Sequence, residues 1–376
     1  MRSAMALGIP ALSLPWLLVG LMSSCHGAAD VIASSCIFDS SRKPSADNYI
    51  ASVKFPPPEK RGAVDDCIVT PLSLMHTVLC SLSTYDASTQ LLYSLCRAEL
   101  SPRAPVTIEV RGSDGNMTRS LPLRGPAFDG AAWDFMAVDF KLEGLLLFEL
   151  GNGGRCSFVN LTSGNGRVLA NLPGSVPASW LYPATVYDPI ARKMHTIVSP
   201  LSVHHATPRR INVNELVATE ASVLSSPLSV LSLDVATNVS GMLPLKAPEG
   251  MLTLGLWNVA LTPHRTLLGV LHNTSRVLVN LTSGQVRLPC ASCDSLTALG
   301  ATNLPLEPLS VQSVAHPAQA RARALLRMDP SMHPATGQPE GKPVLYALGA
   351  TSGKVEAACL LPGELSFGLM LLARGA

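Results

Sequence analysis

Charge is scarce in this chain. Only 14% of its 376 residues are Asp, Glu, Lys or Arg, and 28 basic residues nearly balance 26 acidic ones to leave a net charge of +2. Soluble domains ordinarily carry about a quarter of charged residues. So even a balance exerts no long-range pull on nucleic acid or an anionic membrane, and neither is expected as a partner. Gly-x-Ser-x-Gly is absent, so the strained turn of an exposed serine nucleophile has no candidate. Gly151-Asn152-Gly153-Gly154 is glycine-rich but lies between strand-like segments and opens no helix, so it does not cradle phosphate. The sequence names no catalytic residue, and no cofactor or metal is expected. What is plentiful is apolar: 47% of residues are hydrophobic, which argues against disorder, and 30 prolines with 28 glycines argue against a helix-rich chain.

The first 29 residues read as a signal peptide. Arg2 gives a positive start, Met5 to Met22 are apolar apart from Ser13, and Cys25, Gly27, Ala28 and Ala29 supply a small-residue exit, with cleavage expected after Gly27 or Ala29. An uncleaved signal anchor is the alternative, since the apolar run approaches spanning length; Pro10 and Pro15 oppose it. The tail Leu365 to Leu372 is too short to span and Arg374 interrupts it, so no membrane span is expected in the mature, extracellular chain. Cleavage removes Cys25 and leaves Cys36, Cys67, Cys80, Cys96, Cys156, Cys290, Cys293 and Cys359, an even set that suggests disulfides in an oxidising compartment. Five sequons headed by Asn116, Asn160, Asn238, Asn273 and Asn280 are candidate glycan sites.

Self-similarity runs through the remainder. Leu-Thr-Ser-Gly occurs at Leu161 to Gly164 and at Leu281 to Gly284, with a third copy at Ala350-Thr351-Ser352-Gly353. Each copy lies between alternating apolar segments, the signature of a β-hairpin. Looser copies are Val110 to Gly115 and Leu233 to Asn238. An apolar strand ending in a turn residue precedes each hairpin: Asp86, Asp139, Asp188, Thr262 and His316, spaced 53, 49, 74 and 54 residues apart. Asp followed by Pro, as in Asp188-Pro189, suits a type I turn. The long step holds an insertion, Leu201 to Pro227, and a shorter one, Ser331 to Lys342, falls at the corresponding place in the fifth unit. Leu365 to Ala373 resembles Leu252 to Ala260, so a sixth unit begins as the chain ends, and strand-like Val31 to Phe38 and Tyr49 to Phe55 are available to complete it.

On these residues, about Val64 to Ala373, the chain resembles the β-propeller superfamily. The resemblance implies an all-β ring of five to six four-stranded antiparallel blades, the last closed by the N- and C-terminal strands. It divides the chain into a signal peptide (1–29), a segment contributing closing strands (30–63) and the repeat domain (64–376). No WD dipeptide signature or kelch double glycine marks a named repeat family. A pair of β-sandwiches is the rival architecture.

Three clusters hold chemistry-bearing residues. Cys290-Ala291-Ser292-Cys293 has redox or zinc spacing, but no helix start and no second pair accompanies it, so structural bonding is expected. Asp86, Asp139 and Asp188 recur at one position, as either a rim of acids or caps of their own turns; Thr262 and His316 at the other copies favour caps. His204, His205, Arg209 and Arg210 lie in the long insertion, where loops on a rigid scaffold gather binding residues, and form the candidate binding loop. Trp133, Trp180 and Trp257, each just before a unit's first turn, are expected to pack between blades. The functional expectation is a secreted glycoprotein that binds an extracellular protein or glycan through one rim. The alternative is an extracellular hydrolase or lyase with its site in the channel. Sugars on Asn160 and Asn280 would occupy the same rim or the outer edge, placing contact on the opposite rim, near the Asp turns or the channel mouth.

Overall fold

The computed structural model describes residues 31–35, 49–56, 64–74, 79–86, 88–97, 105–125, 128, 133–149, 154–171, 185–198, 228–248, 256–262, 264–271, 275–289, 307–309, 323–329, 342, 344–349, 352–361 and 369–373. Among the described residues the first strands are β1 (Val31–Ser35), β2 (Tyr49–Lys54) and β3 (Ile68–Leu74). Blade 1 follows as β4 (Leu79–Asp86), β5 (Leu91–Arg97), β6 (Val106–Arg111) and β7 (Met117–Pro122). Blade 2 is β8 (Phe135–Asp139), β9 (Gly144–Glu149), β10 (Arg155–Asn160) and β11 (Gly166–Asn171). Blade 3 is β12 (Thr185–Asp188), β13 (Lys193–Val198), β14 (Ser229–Asp234) and β15 (Val239–Pro244). Blade 4 is β16 (Leu256–Leu261), β17 (Thr266–Leu271), β18 (Arg276–Asn280) and β19 (Val286–Arg287). Blade 5 is β20 (Glu307–Leu309), β21 (Arg323–Asp329), β22 (Val344–Gly349) and β23 (Val355–Leu360), and β24 (Leu369–Ala373) ends the series. β24 pairs with β1 in a sixth sheet of order β24-β1-β2-β3, so the two chain ends share the closing blade as expected.

Burial explains the strand sequences. Middle strands are covered on both faces by neighbouring sheets, so they read as unbroken apolar runs, such as Leu145 to Phe148 in β9 and the wholly buried β22. Outermost strands are largely exposed and accept Arg119 in β7 and Arg167 in β11. Apolar clusters fill each seam in turn. Ile50 meets Tyr85 and Leu92 between the closing blade and blade 1. Ile108 meets Met136 and Leu145 at the next seam, and Phe148 meets Met194 and Leu233 at the one after. Val230 then meets Val277, Leu268 meets Tyr346, and Leu345 meets Val53 and Phe55 back on the closing blade. Six seams joining six sheets make a closed ring: the protein is a six-bladed β-propeller, and the paired sandwiches are excluded. First strands of neighbouring blades approach one another, β24 with β4 and β4 with β8, which sets them around the axis.

The repeated Thr-Ser-Gly hairpin is a latch between blades. Gly164 and Gly284 both take φ +73, and a side chain on either would collide with the carbonyl of Pro122 or Pro244 on the preceding blade. Backbone bonds fix that contact: Arg124 N donates to Gly164 O (2.9 Å), and Lys246 N donates to Gly284 O (2.8 Å). At the closing seam the covalent bond Cys67–Cys359 joins the residue just before β3 to β23, a sequence separation of 292. Cys80–Cys96 links β4 to β5 within blade 1. Cys156 departs from the expected disulfide set: it is a buried free thiol in the seam between blades 2 and 3. An even cysteine count holds no geometry, and a strand wrapped by two sheets accepts a thiol as a small apolar group. Cys36, Cys290 and Cys293 lie outside the described residues.

Candidate functional site: the two ends of the blades

In an antiparallel four-stranded sheet, the turn between strands one and two and the turn between strands three and four emerge at the same end. The register makes this explicit, because Gly144 pairs with both Asp139 of the first strand and Asn160 of the third. The Asp turns therefore share an end with the Asn160 and Asn280 hairpins. The expectation that the Asp turns lie on the opposite rim is corrected. The other end holds the links between strands two and three. Residues 199–228 join β13 to β14 there, and residues 330–343 join β21 to β22. The insertion Leu201 to Pro227, with His204, His205, Arg209 and Arg210, lies outside the described residues.

The Asp turns are caps. Asp139 Oδ1 accepts the amides of Lys141 (2.9 Å) and Leu142 (3.0 Å), and Asp188 Oδ1 accepts those of Ile190 and Ala191 (both 2.9 Å). Asp86 accepts from Ser88 N (2.8 Å) and from the hydroxyls of Ser88 and Thr89. Thr262 does the work through its hydroxyl, which accepts from Thr266 N (3.2 Å). His316 lies outside the described residues. Each described turn ends in a residue of positive φ, namely Gln90, Glu143, Arg192 and Arg265.

Two of those residues reach back one blade. Arg192 Nε and the Tyr187 hydroxyl both donate to Asp139 Oδ2 at 2.9 Å, and Arg265 Nε lies 3.0 Å from Asp188 Oδ2. The carboxylates are almost inaccessible, at 1% for Asp139 and 5% for Asp188. One oxygen of each is held by turn amides and the other by a guanidinium from the next blade. They are committed to holding turns and seams, so a cation or an incoming acid has no free oxygen there. Phe140 and Ile190 are exposed at the tips of these turns.

Further buried polar groups are also engaged structurally. Arg111 donates to Glu109 Oε2 (2.7 Å) and to Gly115 O (3.1 Å). Glu109 lies beside Cys80 and Cys96, but both sulfurs are in a disulfide and are not free to bind metal as thiolates. His195 Nδ1 is 2.7 Å from Ser232 Oγ, and burial pushes its imidazole down to about 4. Burial, with the Asp139 charge second, raises the Cys156 thiol and the Tyr187 phenol far above their ordinary values, so neither ionises. Trp133 packs edge-on to Phe128 in the seam between blades 1 and 2, as the sequence led us to expect; Trp180 lies outside the described residues. Reading the sequence missed Arg192 and Arg265. Their signal was their position, four residues after Asp188 and three after Thr262, where an αL residue closes each turn. The His195–Ser232 pair had none, because its partners are brought together across the long insertion.

Among the described residues no helix is long and apolar enough to cross a membrane. Two disulfides are what an oxidising compartment sustains. No family model and no curated protein matches the chain. Solved structures do. A nidogen/laminin complex aligns at TM-score 0.51 and 10% identity over 93% of this chain and 99% of that one. An apocarotenoid oxygenase from Synechocystis aligns at TM-score 0.50 and 10% identity over 93% of each chain. An oligogalacturonate lyase aligns at TM-score 0.44 and 11% identity over 86% of this chain and 73% of that one. Likeness at such identities is likeness of fold: this chain has the β-propeller fold, with no named family attached.

Proposed function

We propose that this protein is an exported glycoprotein that binds an extracellular protein or glycan through the end of the ring carrying the links between strands two and three. The observation that carries this reading is a division of labour between the two ends. At the turn end, the Asp carboxylates are tied up in caps and cross-blade ion pairs. The link end carries the longest connection of the repeat, 199–228, which bears His204, His205, Arg209 and Arg210. Lengthening one link on a rigid scaffold adds contact surface without disturbing the core. Export is supported by the N-terminal pattern of the sequence and by the two disulfides.

The test is a binding screen of the full mature chain against immobilised extracellular-matrix proteins and a glycan array, repeated with His204, His205, Arg209 and Arg210 all changed to Ala. The proposal expects a saturable ligand whose affinity falls at least tenfold in the variant while thermal stability is unchanged. Retained affinity in the variant refutes the assigned loop. Turnover of a glycan or ester by the unmodified protein would instead establish the hydrolase or lyase reading.

A further inference from the structure

Four of the five sequons fall in the same hairpin of the repeat. Asn116, Asn160, Asn238 and Asn280 each stand in the hairpin between the third and fourth strands, in blades 1, 2, 3 and 4 respectively. All four are exposed. Asn273 lies outside the described residues. Turn chemistry alone accounts for only two of the four. Asn160 and Asn280 cap their hairpins, each Oδ1 accepting two backbone amides. In blades 1 and 3 that work falls to Asp114 and Asp234. Sequons nevertheless stand there, at Asn116 and Asn238, so the recurrence is not a by-product of capping.

We propose that Asn116, Asn160, Asn238 and Asn280 are N-glycan acceptors whose sugars crowd the turn end of four consecutive blades. Blade 5 and the closing blade have no sequon, so the turn end of those two blades is left bare, and the fifth sequon, Asn273, falls in the link between β17 and β18. The inference rests on the export reading and says which surface export covers. In the transfer, the amide Nδ2 attacks C1 of an oligosaccharide carried on a lipid pyrophosphate. The N–C1 bond forms, the C1–O bond to the pyrophosphate breaks, the lipid pyrophosphate departs, and one amide proton passes to base. No electrons change hands. The modified amide keeps its carbonyl oxygen, so the caps at Asn160 and Asn280 survive. It also keeps one N–H, so the bond from Asn116 Nδ2 to Asp114 Oδ2 (2.8 Å) survives too. Nδ2 of Asn160 and of Asn280 has no partner among the described residues and is free for the sugar.

The test is expression of the full chain in a eukaryotic secretory host, with cells and medium analysed separately. Deglycosylation by peptide N-glycosidase in heavy-oxygen water converts each glycosylated Asn to labelled Asp. The expected result is labelling at all four positions, and one step of increased gel mobility for each of Thr118→Ala, Thr162→Ala, Ser240→Ala and Thr282→Ala, which remove a sequon and keep its Asn. Exported chain with two or more of the four unlabelled overturns the inference and leaves export standing. Unlabelled chain confined to the cytosol overturns both. Labelled chain retained inside the cell upholds the glycan sites and overturns the extracellular binding reading.

Discussion

Replacing Gly284 by Ala probes the latch between blades 3 and 4. Gly284 has φ +73, where an L side chain costs about 1–2 kcal/mol. The new methyl group would also strike the Pro244 carbonyl, a backbone atom that cannot rotate away. The hairpin must then retreat, weakening Lys246 N to Gly284 O and Val286 N to Lys246 O, each 2.8 Å. Losing two such bonds costs about 1 kcal/mol each, for a total of about 3–4 kcal/mol. Gly241 in β15 is the matched control: its backbone is not in the left-handed region and an added Cβ would meet nothing within 4 Å. Gly241→Ala should be neutral or stabilising by up to about 1 kcal/mol, because a strand glycine loses more entropy on folding than alanine. Denaturant melts of both variants, read by tryptophan fluorescence, give the difference. Equal midpoints for Gly284→Ala and Gly241→Ala would refute the latch.

Changing Cys67 and Cys359 together to Ser should cost about 5–6 kcal/mol by loop entropy, against about 3 kcal/mol for the Cys80 and Cys96 pair, because the sequence separations are 292 and 16. Melts in matched buffers give the ranking, and the reverse order would contradict the closing role of the first bond. Burial holds the folded His195 near 4, below the ordinary value of about 6.5, so the unfolded chain binds that proton more tightly. Its contribution is therefore intact above pH 6.5 and is lost as pH falls towards 4, by up to about 3 kcal/mol, and His195→Gln should flatten the pH dependence of stability across that window. Arg192→Met strands the Asp139 carboxylate, which is 1% exposed, and should cost about 2–4 kcal/mol in a thermal melt; a change below half a kilocalorie, or about 0.5 kcal/mol, would show that the pair is inert.

The blades were legible in the sequence because strands and turns obey local rules. The alternating segments around Gly164, Gly284 and Gly353 became β10 with β11, β18 with β19 and β22 with β23. The likeness of Leu365–Ala373 to Leu252–Ala260 marked β24 and β16 as equivalent first strands, and that was enough to foresee the closing blade. The glycine of the Thr-Ser-Gly copies was read as a turn former. That it is also pressed against Pro122 or Pro244 of the preceding blade was not visible, since a seam joins residues far apart in sequence. Cross-blade ion pairs such as Arg192 with Asp139 were hidden for the same reason. The shared end of the Asp turns and the Asn hairpins, by contrast, follows from strand parity alone, and counting strands from Asp139 to Asn160 would have given it. Cys156 was misjudged because burial between two sheets, not the number of cysteines, decides its state.

Ring closure underlies everything above, and non-reducing peptide mapping of the mature protein tests it most directly. A cross-linked peptide pair containing Cys67 and Cys359 is the predicted result, together with an alkylatable Cys156 seen only after unfolding. Cys359 found bonded to Cys290 or Cys293 instead would place the C-terminal strands away from the N-terminal ones and contradict the closed six-bladed ring.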